Sequence, residues 1–187
     1  MMVGAVVMMI VIVPDAAARV VASPSTTTTT TVTPAPARSM APEVIRQVSL
    51  INRFRVARGL SLLRLDAQLT ASATWMARDM ATKDYFAHQD SRKRGWFRRL
   101  RDFRYPVRST WTGENLAAGH ETAQPTHQQW LTSIPHRRNM LNPRFRAIGI
   151  ARVFVEGSTY GWYWVTDFGS ARSVPLRVLQ AAPARPA

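Results

Sequence analysis

The sequence predicts an α+β fold, and three observations carry that expectation. Apolar residues recur at helical spacing through most of residues 43–133. Two strand-like segments follow, at 147–155 and 160–168. Helices and strands do not alternate, which leaves an α+β or three-layer arrangement open and argues against a parallel alternating sheet.

The N-terminal segment reads as an export signal. Val3 to Val13 is apolar, Pro14 closes the run, and Ala16-Ala17-Ala18 follows with Ala-x-Ala cleavage spacing. The run is too short to span a bilayer, and no Lys or Arg precedes it, which is atypical for a signal. Residues 1–22 are therefore expected to be a signal peptide. Residues 23–42 form a Thr/Pro-rich linker, with Thr26 to Thr31, Pro34 and Pro36. Such a segment buries little and stays extended. The folded unit is expected over 43–170, and the Pro- and Ala-rich stretch 171–187 as a flexible tail.

Within the folded unit each element has a local cause. Ser39 can cap a first helix that has Pro42 in its first turn. Val44, Val48 and Ile51 share one face, and Gly59 stops it. Asp66 caps a second helix with Leu69, Ala73, Met76 and Met80 on its buried stripe. Trp96, Leu100 and Phe103 mark a short third helix, ended by Tyr105-Pro106. Thr122 to Ser133 reads as a fourth, carrying Trp130. Ala147 to Val155 and Tyr160 to Phe168, joined by a turn at 156–159, read as a hairpin.

Composition narrows the function classes. With 46% hydrophobic residues the body can bury a core. Cysteine is absent, so disulfides, thiolate metal sites and cysteine nucleophiles are excluded. There are 25 Lys and Arg against 11 Asp and Glu, a net charge of +14 that favours anionic surfaces. Of these bases only Lys83 and Lys93 are lysine, so the excess also fits a coding bias toward arginine. The densest basic stretch is 92–108, where Arg94, Arg98, Arg99 and Arg101 interleave with Trp96, Phe97, Phe103 and Tyr105. It is a candidate polyanion-binding strip; its plain alternative is a solvated helix face with aromatics turned inward. No nucleic-acid-binding motif is present.

The chain has four histidines, His88, His120, His127 and His136. His88 follows the second helix and His136 the fourth, positions that turn side chains toward clefts. Glu114 lies between them in Gly113-Glu114-Asn115-Leu116, with Gly119 also permitting a tight backbone path. Two imidazoles and a carboxylate can bind a zinc-like cation, act as a general acid/base set, or orient one another without chemistry. Spacing alone does not choose among these, since no His-x-x-x-His or His-Glu-x-x-His occurs. His120 and His127 are expected on a loop and on an exposed helix face.

Several segments, in order, resemble the CAP superfamily of SCP-like extracellular domains, bacterial branch. They are Leu50-Ile51-Asn52, Leu63-x-Leu65-Asp66, Tyr85-Phe86-Ala87-His88, Gly113-Glu114-Asn115-Leu116-Ala117, the run from Trp130 to Leu141 around His136, Ile148-Gly149-Ile150, and Trp162 to Gly169. The resemblance covers about 43–170. It implies a three-layer α-β-α sandwich with a mainly antiparallel sheet, and a cleft lined by His88, Glu114 and His136, with His88 and His136 as the metal-ligand pair. Where many animal members carry a second Glu, this chain has Trp130-Leu131-Thr132-Ser133, and Pro135 stands before His136 where Gly is usual.

The expected function is a secreted, extracellular or wall-associated binding protein. It would take a small ligand, lipid or glycan in the cleft, with a divalent cation such as Zn as the candidate cofactor. Anionic wall polymers, glycans or lipid headgroups are the expected partners, nucleic acid is not a specific one, and the protein is expected to be a monomer. The alternative is a metal-assisted hydrolase of peptide or glycan using His88, Glu114 and His136, with Ser133 a weak nucleophile candidate lacking elbow glycines.

Overall fold

Asp66 begins the longest helix as expected: its Oδ1 accepts the Leu69 N–H at 2.9 Å. The computed structural model describes residues 40–171. The expected signal peptide, the expected linker up to residue 39 and the expected tail from residue 172 lie outside these described residues. The elements in order are α1 (Pro42–Val56), β1 (Arg64–Leu65), α2 (Ala67–Thr82), α3 (Trp96–Asp102), β2 (Thr112–Ala118), α4 (Ala123–Thr132), α5 (Ile134–Met140), β3 (Ala147–Phe154) and β4 (Trp162–Gly169). A 3-10 turn at Val107–Ser109 precedes β2. Ala41, not Ser39, is the N-cap of α1, with Pro42 in the first turn.

The four strands lie in the order β1-β3-β4-β2. β3 and β4 are the antiparallel hairpin read from the sequence, running from Ala147↔Gly169 to Phe154↔Trp162. β2 is antiparallel to the other side of β4. The two-residue β1 runs parallel to β3, so the sheet is mixed and the mainly antiparallel expectation is corrected. β1, β2 and α5 escaped the sequence reading: β1 is two residues long, and β2 and α5 are short segments with polar residues at several inward positions.

Helices cover both faces. Trp164 and Phe168 of β4 pack with Leu50 and Ile51 of α1, Trp130 of α4 and Met140 of α5. Tyr163 and Val165 point the other way, into Ala73, Met76 and Met80 of α2. Each fully buried large side chain contributes about 1.5–3 kcal/mol. Gly149 of β3 lets α2 lie this close, because a Cβ there would stand 2.0 Å from the Leu69 carbonyl carbon.

The same alternation decides where the polar side chains go. Glu114 on β2 stands opposite Asp167 on β4, so both face the α2 side, while Asn115 faces α5. β2 is an edge strand, yet its outward carbonyls are not left open. Asn139 Nδ2 donates to Glu114 O at 3.0 Å and Trp130 Nε1 donates to Leu116 O at 2.9 Å. His127, expected on an exposed face of α4, is buried with its ring edge-on to Phe54 at 6.0 Å.

Candidate functional site

The loop between α2 and α3 presents His88, and two acids shape it. Asp79 accepts hydrogen bonds from the Tyr85 hydroxyl, Ser91 N–H and the Ser91 hydroxyl, and pairs with Lys83 at 2.9 Å. Burial alone would push the Asp79 carboxyl up, but the bonds from Lys83, Tyr85 and Ser91 hold it down at about 2. Asp90 accepts from the Arg92 and Arg94 N–H groups, each at 2.9 Å, and from Arg94 Nε at 2.8 Å.

His88 Nδ1 then lies 2.7 Å from Glu114 Oε1. A carboxylate there accepts, so the neutral ring carries its proton on Nδ1 and keeps the Nε2 lone pair for other partners. Arg99 Nη2 donates to the other oxygen, Glu114 Oε2, and Arg99 Nη1 to the His88 carbonyl at 3.5 Å. The side chains of Glu114 and Arg99 are 0% exposed, whereas that of His88 is 43% exposed. Trp96 meets His88 edge-on with ring centroids 6.1 Å apart and is itself exposed.

His136 lies in the first turn of α5 rather than in a loop beyond a helix. It is 3% exposed, its ring edges against Trp130, and its Nδ1 has no hydrogen-bond partner. Asn115 Nδ2 donates to its carbonyl at 3.1 Å. Burial, and then the nearby charge of His88, pull its imidazole down to about 4. Glu114 therefore gathers His88 and Arg99 on the α2 side of the free edge of β2, while His136 is tied to the same strand from α5 through Asn115.

A second carboxyl lies behind Glu114. Asp167 is 0% exposed. Neither of its oxygens has a partner at good hydrogen-bond geometry, although Ser72 and Glu114 lie alongside. Burial and the charge of Glu114 push it well above the ordinary carboxylate range, against the pull of Arg99. The sequence reading missed both Asp167 and the role of Arg99. An acid inside the apolar strand Trp162 to Gly169 was one available signal. The place of Arg99 on the Trp96–Leu100–Phe103 stripe was the other.

Other candidates fall elsewhere. Ser133 is the N-cap of α5 and makes no side-chain cap bond. His120 lies on the loop after β2, where its carbonyl accepts from Trp164 Nε1 at 2.6 Å. The polyanion strip is dismantled in part: Arg99 is buried on Glu114, and Arg94 is held by Asp90 and Asp102 at 2.8 Å each. Arg98 and Arg101 remain exposed, Arg101 within 3.7 Å of Asp102. Among the described residues no three His, Cys, Asp or Glu side chains converge as metal ligands. Glu114 already accepts one hydrogen bond on each oxygen, so a cation held by His88 and His136 would have to share that carboxylate or complete its shell with water.

Known proteins share this arrangement of elements. Residues 48–168 match the cysteine-rich secretory protein family, CAP. The Bacillus subtilis protein YkwD is 35% identical over 136 residues, which is 73% of this chain and 50% of YkwD. An extracellular SCP-domain protein from Bacillus anthracis superposes with a TM-score of 0.57 at 27% identity, over 67% of this chain and 39% of that one. An outer surface protein from Borrelia burgdorferi has the same fold, with a TM-score of 0.61 at 23% identity, over 70% of this chain and 93% of that one. The chain thus spans about half the length of the curated relative it matches. Among the described residues no helix is long and apolar enough to cross a membrane.

Proposed function

This chain belongs to the cysteine-rich secretory protein (CAP) family, here without a single cysteine, and from that premise we propose that it is an exported envelope protein that binds a small ligand, lipid or glycan at the His88 cleft. The observation that carries this reading is the contrast in access. Of the three cleft residues only His88 reaches solvent to a useful degree, while Glu114 and His136 are buried. Glu114 is spent on orienting His88 and neutralising Arg99, so it supports a fixed acceptor, Nε2, rather than an acid/base residue in contact with substrate. Trp96 adds exposed aromatic surface beside the His88 ring, suited to an acyl chain or a sugar face.

A glycosidase needs two carboxyls flanking a bond, and both carboxyls here are shut inside. Export and an anionic envelope partner belong to the same reading, supported by the family and by the charge of +14.

Native mass spectrometry of the protein purified from its own host tests it. The expected result is a small-molecule adduct on the wild type that is lost in His88→Ala. An adduct-free wild type that turns over peptide or glycan substrates, with turnover lost in His88→Ala, would replace binding by catalysis.

A further inference from the structure

The dense stretch 92–108 loses Arg94 and Arg99 to ion pairs, while a second group of cations around α5 keeps all of its members free of acids among the described residues. No Asp or Glu occurs between Glu121 and Glu156, while Arg137, Arg138, Arg144, Arg146 and Arg152 do. Ile134, Arg137, Arg138 and Leu141 recur at helical spacing on one side of α5, and His136 and Met140 are buried on the other. With Pro143 and Arg144 they line an open groove of about 560 Å³. Arg137, Arg138 and Arg144 are exposed, and among the described residues none is within ion-pair distance of an acid, whereas Arg94 and Arg99 on the α3 side are both paired.

The groove is also held in shape. Buried Arg55 donates to the carbonyls of Met140 at 2.8 Å, Asn142 at 3.0 Å and Phe145 at 3.3 Å, fixing the turn after α5. Arg144 stacks 4.4 Å over Trp111, itself 50% exposed, so its guanidinium is set at the rim without losing its charge.

We infer that this α5 groove is the docking site for an anionic, phosphate-bearing linear polymer. Guanidinium forks match phosphate oxygens in pairs. A groove admits a chain along its length, whereas a bilayer offers a flat face with no ridge to fill it. This places the anionic partner of the envelope reading and rests on it, but it does not involve His88, so the two experiments fail separately.

The test uses the full chain and long-chain inorganic polyphosphate as probe, with vesicles containing phosphatidylglycerol and a neutral glycan in parallel. Arg137→Gln/Arg138→Gln/Arg144→Gln is compared with the charge-matched Arg98→Gln/Arg101→Gln/Arg108→Gln. Circular dichroism and thermal melting establish that both variants fold. The groove variant is expected to lose affinity roughly tenfold or more and to flatten the log K against log salt slope by about 2. The matched variant is expected to change little. Equal losses in both variants, wild-type affinity in the groove variant, or binding to vesicles but not polyphosphate would each overturn the assignment.

Discussion

Glu114 and Asp167 face each other across β2 and β4, two buried carboxyls beside the guanidinium of Arg99, which of the two bonds Glu114 alone. The cluster is buried, so it tolerates one ionised carboxylate beside one arginine far better than two. Asp167, pushed up by burial and by Glu114, is the group that keeps a proton.

A stability trend with pH follows. A carboxyl raised in the native state binds its proton after the unfolded chain has released one, so it weakens folding as pH rises above about 4. Asp167→Asn removes that dependence. Urea unfolding from pH 5 to pH 8 is expected to show a flatter profile for the variant, with a gain of about 1–2 kcal/mol at the upper end. A protonated-carboxyl infrared band present in wild type and absent in the variant checks the same point spectroscopically.

Removing the cation has the opposite sign. Arg99→Met leaves the buried Glu114 carboxylate without its cation and is expected to cost about 3–5 kcal/mol in denaturant unfolding. Combining it with Glu114→Gln should recover part of that loss, because the stranded charge disappears with its counterpart.

The two buried histidines set the acid limit. Burial, with His88 near one and Arg53 near the other, pulls His136 and His127 each to about 4. The unfolded chain takes up these protons near 6.5 and the native state refuses them until about 4. Stability is therefore lost as pH falls through that window, by up to about 2.7 kcal/mol per pH unit for two protons. His127→Leu should roughly halve the slope measured by urea unfolding between pH 6.5 and 4.5.

Glu114 also dictates which ring nitrogen of His88 is free. In Glu114→Gln the amide no longer demands an Nδ1 proton, and nitrogen NMR is expected to show the Nε2–H tautomer rising from a minor to a substantial population. A ring still held wholly as Nδ1–H would mean that Glu114 does not set it.

The fold was readable wherever apolar spacing was long and regular: α1, α2 and the β3–β4 hairpin came directly from it. It failed at β2, because Glu114 and Asn115 occupy inward positions that alternation assigns to apolar residues. It failed at α5 because Pro135 and four polar residues mask a single two-turn helix. The histidines and Glu114 were visible as residue types, but their meeting at an edge strand is tertiary. Arg99 was misread for the same reason: local charge density cannot tell an exposed cation from one paired inside with an acid two elements away.

The stopper on β2 has a wider consequence. An exposed strand rim is an invitation for another chain to zip on, yet Asn139 and Trp130 occupy two of its open acceptors. The protein can leave His88 exposed near that rim without the rim itself recruiting neighbours, so the most accessible of the three side chains does not sit on a seed for sheet growth.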